Sequence, residues 1–149
     1  MAPIGSYHST VVGRLARFFA RALTDEQAIV ISQSPFELSN RSEPEPDVLV
    51  LAPRSDEYVE HLPHPRDVRL LIEVSDSSIQ WDRDVKLPLY ARERVQEVWI
   101  VNLSEGVIQV CQGPGIDAYA QVRTVSRGES LSPMAFPGVT IAVNEVLRR

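Results

Sequence analysis

The chain has 149 residues, 44% hydrophobic and 23% charged, with a net charge of -5. That length suits one domain, residues 1–149, around a single buried core. The acidic balance argues against nucleic-acid binding through global positive charge, which needs Lys and Arg to neutralise phosphates, and leaves room only for a local arginine patch.

No apolar run approaches the ~18 residues that span a bilayer, so no membrane role is expected. No charged leader with an apolar stretch and cleavage site opens the chain. Cys111 is the only cysteine. It cannot form an intramolecular disulfide, fits a reducing, cytoplasmic compartment, and reads as a buried strand residue.

Residues 7–23 read as an amphipathic helix. Tyr7, Val11, Leu15, Phe18, Phe19 and Ala22 recur at helical spacing. Arg14, Arg17 and Arg21 lie together on another side, either as a solvated face or as a phosphate-contacting stripe. His8 opens this helix in a capping or packing role. Residues 27–33 are β-branched and read as a strand, and Phe36–Leu38 is expected to resume its ladder. A polar loop leads to Asp47 and a strand over 48–51. The next loop carries His61 and His64, which read as surface residues, not metal ligands, because no helix aligns them.

Residues 68–75 form the next strand, with Leu71, Glu73 and Ser75 on one face. Asp76, Ser77 and Ser78 supply capping side chains. A helix follows between Ile79 and Arg94, with Trp81, Val85, Pro88 and Leu89 tracing its buried side and Pro88 kinking it or lying in its first turn. Trp81 and Trp99 read as core or interface aromatics, and Tyr90 as packing or a site-wall hydroxyl. Strands are expected over 97–101, 107–111 and 119–125, joined by a hairpin turn and a Gly/Pro turn. No repeat or linker divides the chain.

The chemistry concentrates between Pro46 and Tyr90. Asp47 begins one strand and Glu73 stands near the end of another. If these strands are antiparallel neighbours, the two acids face each other at ~5 Å between Cβ atoms. Two carboxylates that close repel unless a cation joins them. A hard divalent ion answers this, since Mg²⁺ takes oxygen ligands, typically one or two carboxylates plus water and phosphate. The backbone carbonyl of Val74 adds a further candidate ligand. Of the 15 Lys and Arg residues, Lys86 alone is a lysine. Its ammonium can orient an attacking water or neutralise charge growing on a phosphoryl transition state. Together these residues read as a metal-dependent phosphodiesterase site. The plainer alternative is a buried Glu73 paired with an arginine, Asp47 in a turn after proline, and Lys86 pairing with Asp82 at i, i+4.

Pro46-Asp47, Ile72-Glu73-Val74-Ser75 and Asp82-Arg83-x-x-Lys86-Leu87-x-x-Tyr90-Ala91, followed by Glu97-Val98-Trp99-Ile100-Val101, resemble the "putative restriction endonuclease" family of the PD-(D/E)XK nuclease superfamily. The likeness runs from Pro3-Ile4-Gly5-x-x-His8 to Pro137-Gly138 and is most specific from Glu73 to Val101. It implies an α/β (α+β) restriction-endonuclease-like core, a mixed, mainly antiparallel sheet flanked by helices. It also implies Asp47 and Glu73 as metal ligands and Lys86 as catalytic lysine. The wider superfamily carries its lysine two residues after the second acid, where this chain has Ser75.

The expected function is a Mg²⁺- or Mn²⁺-dependent endonuclease acting on DNA. The alternative is a nuclease-fold protein that binds nucleic acid or a partner without cutting. Residues 1–24 contain no Asp or Glu, so one metal ion is expected. Family members usually carry an N-terminal strand segment ahead of the first helix. Its lack here would leave a sheet edge open, which pairing in a homodimer could cover.

Overall fold

The computed structural model describes residues 5–76 and 79–149. Chain order and spatial order coincide in its main sheet. The first helix, α1 (Ser6–Ala22), precedes β1 (Ile29–Ser32), β2 (Val48–Leu51) and β3 (Val68–Ser75). A helical crossover follows, made of α2 (Ile79–Trp81), a π-helical turn (Asp82–Lys86) and α3 (Leu87–Arg92). Then come β4 (Glu97–Asn102), β5 (Val107–Pro114) and β6 (Tyr119–Ser126). The six strands pair in the order β1-β2-β3-β4-β5-β6. All neighbours are antiparallel except β3 and β4, which run parallel. A parallel pair needs a crossover connection, and the segment between Ser75 and Glu97 supplies it.

The expected mixed, mainly antiparallel sheet flanked by helices is therefore the observed one. α1 buries Val11, Val12, Leu15 and Phe19 against Val48, Val50, Leu70, Ile72 and Val74 on one sheet face. Tyr90 and Ala91 of α3 pack with Leu49, Leu51, Leu71, Val98 and Ile100 on the other. β2 and β4 are buried at every position, as expected for strands covered on both faces. Cys111 is buried on β5, and burial pushes its thiol up to about 12.

Several expectations are corrected. Phe36–Leu38 forms no strand. The Phe36 N–H donates to the Pro44 carbonyl, and both Phe36 and Leu38 are buried in the α3-side core. Apolar alternation there reflects loop anchoring, not a ladder. β5 runs on to Pro114, past the expected end at Cys111. The C-terminal region holds a small sheet of β7 (Ser130–Leu131) and β8 (Ile141–Ala142), then α4 (Val143–Leu147). Val143, Val146 and Leu147 bury this last helix on the α1 side; five residues are too few for periodicity to reveal it.

Trp81 is 58% exposed and Val85 is 42% exposed, so neither lines the buried side of the crossover. For Val85 the cause is the π-helical turn that contains it; Trp81 lies just ahead of that turn, at the end of a three-residue helical segment too short to set a buried stripe. In the π-helical turn the Leu87 N–H donates to the Asp82 carbonyl, five residues back. A turn this wide shifts every following position around the axis, so 3.6-residue spacing no longer reports burial. Pro88 falls in the first turn of α3, where its missing N–H costs nothing. Of the expected capping group, Asp76 accepts a hydrogen bond from Ser104 Oγ at 2.9 Å, while Ser77 and Ser78, like Pro3 and Ile4, lie outside the described residues.

Candidate active site

Asp47 and Glu73 meet because of strand polarity. β2 and β3 are antiparallel, with Val48 opposite Ile72 and Leu49 opposite Leu71. Extending this register by one residue sets Asp47 opposite Glu73. The Val74 N–H donates to Asp47 Oδ2 at 2.7 Å, tying the acid to the end of β3. Val74 thus contacts Asp47 through its N–H; the sequence suggested a role for its carbonyl. Glu73 shares the α3 face with Leu71, and the crossover then brings Lys86 over it. Lys86 Nζ lies 3.1 Å from Glu73 Oε2 and 3.4 Å from Asp82 Oδ1. The i, i+4 pairing with Asp82 and the contact with Glu73 therefore coexist.

Three further side chains fix these groups. The Tyr90 hydroxyl donates to Glu73 Oε2 at 2.8 Å, from a fully buried position on α3. Ser75 Oγ donates a hydrogen bond to Asp82 Oδ2. Ser75 occupies the position where the superfamily pattern has lysine; here it holds the carboxylate that holds Lys86. His8, at the start of α1, reaches the site from the opposite sheet face. Its Nε2 lies 3.6 Å from Asp47 Oδ2, an ion-pair distance too long for a hydrogen bond. Its Nδ1 is buried with no hydrogen-bond partner among the described residues. The capping or packing role read from sequence does not cover this contact. A lone histidine at a helix start carries no signal that a strand 39 residues later will meet it.

The electrostatics follow from burial. Glu73 is 3% exposed. Burial raises its carboxyl first; Lys86 opposes this, the charges of Asp47 and Asp82 add to it, and the Tyr90 hydrogen bond opposes it. The net result is about 7. Asp47 is raised too, chiefly by burial, against the Val74 N–H and the charges of His8 and Lys86. Burial alone would lower Lys86, but Glu73 and Asp82 more than offset it and raise it. Lys86 keeps its proton, and Glu73 is the group that exchanges one near neutrality. Tyr90 is raised by burial and by Glu73, so it stays a donor.

Both acids meet their protein partners with one oxygen. Val74 and His8 face Asp47 Oδ2, while Lys86 and Tyr90 face Glu73 Oε2. Asp47 Oδ1 and Glu73 Oε1 are the oxygens left for a cation. Among the described residues no three His, Cys, Asp or Glu side chains converge as a preformed metal cage. Two carboxylates with raised proton affinity are a hard donor set of the kind that suits Mg²⁺ or Mn²⁺ completed by water and phosphate.

Asp84, His64 and His61 have other surroundings. Asp84 accepts from Gln80 Nε2 and is exposed. The His64 N–H donates to Asp67 at 2.9 Å, and its imidazole lies 4.0 Å from Glu37. His61 is exposed. Sequence reasoning also missed Glu97, which is fully buried at the start of β4. It accepts from Trp99 Nε1 at 3.2 Å, Gln112 Nε2 at 2.8 Å and the Met134 N–H at 2.7 Å. It pins the segment after β7 to the sheet.

A mixed sheet of this order, covered by helices on both faces, with its acids on adjoining strand ends, is a restriction-endonuclease-like fold. The chain belongs to the Uma2 family, described as "Putative restriction endonuclease", whose model matches residues 1–144. Family and fold are those of a nuclease, a hydrolase of phosphodiester bonds. Among solved structures it is similar to "a putative nuclease belonging to DUF820" from Anabaena variabilis ATCC 29413, with a TM-score of 0.77 and 14% identity, over 99% of this chain and 83% of that one. No curated protein matches the chain. Among the described residues no helix is long and apolar enough to cross a membrane.

Proposed function

We propose that this protein is a divalent-metal-dependent endonuclease that hydrolyses phosphodiester bonds in DNA. The observation that supports the reading is the meeting of Asp47 and Glu73 at adjoining strand ends with Lys86 Nζ 3.1 Å from Glu73 Oε2. Asp47, Glu73 and the Val74 carbonyl would hold the ion, Mg²⁺ or Mn²⁺. When bound, such an ion polarises the phosphate and lowers the pKa of the attacking water.

The remaining work belongs to the chain. Lys86 keeps a full positive charge beside the acids, where it can orient the water and stabilise charge developing on the phosphoryl oxygens. Lysine suits this because it is a compact point charge. Asp82, anchored by Ser75, gives the ammonium a second carboxylate partner and holds it at the site. Tyr90 fixes the orientation of Glu73, and the Val74 N–H and His8 fix that of Asp47.

A second reading, a nuclease-fold protein that binds nucleic acid without cutting, draws on the burial of Glu73 and on the two donors already on its Oε2. Cleavage of plasmid and of single-stranded DNA with Mg²⁺ or Mn²⁺ decides between them. Divalent-dependent cutting that Lys86→Ala abolishes is the expected result. Cutting unchanged in that variant would overturn the site. No cutting of any substrate and no metal binding by calorimetry would favour the second reading.

A further inference from the structure

An acidic protein must still approach a polyanion, and one region of this chain is built for that. Residues 5–24 carry no Asp or Glu. A cleft of about 750 Å³ runs between α1 and the β7-β8-α4 unit, lined by Arg14, Arg17, Arg21 and Arg148 together with Phe18 and Ile141. Its one acid, Glu145, lies 4.0 Å from Arg148 Nε.

The cleft is organised from within. Arg14 Nη1 donates to the carbonyls of Val146 at 2.7 Å and Arg148 at 2.9 Å, which ties α4 and the residue after it to α1. Arg14 is thereby spent on structure; Arg17, Arg21 and Arg148 are exposed. Arg17 passes over a glycine. A Cβ at Gly13 would stand 3.0 Å from Arg17 Nη1. Mid-helix glycine is unfavourable, and here it clears the space into which the Arg17 guanidinium folds.

A further arginine lies at the start of α1. Arg149 stacks its guanidinium 4.2 Å above the ring of Tyr7. Tyr7, whose hydroxyl donates to the Leu147 carbonyl, adjoins His8, and His8 faces Asp47. From His8 to Arg21 along α1 is ~20 Å, a reach of several phosphates.

We infer that this arginine cleft is a second nucleic-acid subsite, which grips the phosphate backbone of the strand beyond the cut. The inference rests on the nuclease reading of the site. Guanidiniums suit phosphate through their forked donors, and the small number of them makes the contact local, as the net charge of -5 requires.

The test is fluorescence anisotropy with a labelled 30-base-pair duplex in EDTA, across a salt series, for wild type, Lys86→Ala and Arg17→Ala/Arg21→Ala. Wild type should bind with a salt-dependent affinity. The double variant should bind about tenfold more weakly at low salt, with a slope of log K against log salt shallower by about 2. Its Tm should stay at the wild-type value, which separates lost phosphate contacts from unfolding. A double variant with wild-type affinity and slope overturns the cleft alone. Failure of wild type to bind any nucleic acid, or capture of anionic phospholipid vesicles in place of duplex, overturns it too. Lys86→Ala that binds normally and still cuts leaves the cleft standing and removes the proposed catalytic site.

Discussion

The ammonium of Lys86 lies 3.1 Å from Glu73 Oε2 although it stands on a helix and Glu73 on a strand. In the pattern with lysine two residues after the second acid, one strand would present both groups. Here Ser75 fills that position and, through Asp82, secures the lysine that arrives from the crossover. The charge thus reaches the site along a different backbone path and gains a second carboxylate partner on the way.

Lys86→Ala should therefore do two things. DNA cleavage at saturating Mg²⁺ should fall by about 10²- to 10³-fold, the cost of one preorganised charge at a reacting oxygen. The protein without metal should also lose on the order of 2 kcal/mol in urea unfolding, because Glu73 and Asp82 are left buried without their cation. Lys86→Arg should restore stability better than activity, since the planar guanidinium does not reproduce a point charge. Equal recovery of both would show that only charge matters.

Glu73 gives a pH dependence with a definite sign. Its folded value of about 7 exceeds its ordinary 4.5, so the metal-free protein holds this proton more tightly when folded. That contribution is fully present below about 4.5 and is lost as pH rises through about 7, amounting to at most about 3 kcal/mol. Asp47, also raised, acts in the same direction. Mg²⁺ should restore the loss above pH 7 and should bind more weakly, with proton release, below it. Thermal unfolding of wild type and Glu73→Gln from pH 4 to 9 checks this. Wild type should lose stability relative to Glu73→Gln as pH rises; parallel curves would contradict the assignment.

Tyr90→Phe removes one donor from Glu73 Oε2 and nothing else of comparable size. The expected cost is about 1 kcal/mol of stability. Because that hydrogen bond lowers the Glu73 pKa, the acidic limb of the cleavage pH profile should move upward. A profile that stays fixed while stability falls would make Tyr90 a packing residue only.

His8→Ala tests the contact that joins α1 to the site. A roughly tenfold loss of metal affinity, measured by calorimetry, is expected if His8 orients Asp47 as outer partners of ligands commonly do. His61→Ala, on an exposed loop, serves as the control and should leave affinity unchanged.

Glu97→Ala should separate stability from activity. It strands three donors, from Trp99, Gln112 and Met134, and should cost about 3 kcal/mol. Once folded, the variant should cut at a near-normal rate, because Glu97 touches none of Asp47, Glu73 or Lys86.

The sheet was legible in the sequence because strand alternation and turn residues agree over Val48–Leu51, Val68–Ser75 and Glu97–Asn102. Asp47 and Glu73 could be paired from strand polarity alone, one beginning its strand and the other near the end of its own. Lys86 stood out as the sole lysine, and the family resemblance gave it a helix. Residues whose partners lie far along the chain stayed hidden. His8 meets Asp47, Glu97 holds Met134, and Arg14 holds Val146, and no local period encodes such pairs. Val85 breaks the expected pattern because a π-helical turn changes the repeat itself, and Trp81 because only three helical residues precede that turn.

The parallel seam between β3 and β4 has a consequence for how the molecule assembles. Leu71 pairs with Val98, 27 residues on, and the same offset holds to Ser75 and Asn102. No other strand pair spans so long a gap, so this junction pays the largest loop-closure entropy in the sheet. On either side lies a three-stranded antiparallel meander, β1-β2-β3 and β4-β5-β6, each closed by shorter connections. Asp47 and Glu73 belong to the first meander, and Lys86 rides on the link between the two. Site assembly is therefore coupled to the crossover: the ammonium meets its acids only where the link between the two meanders is in place.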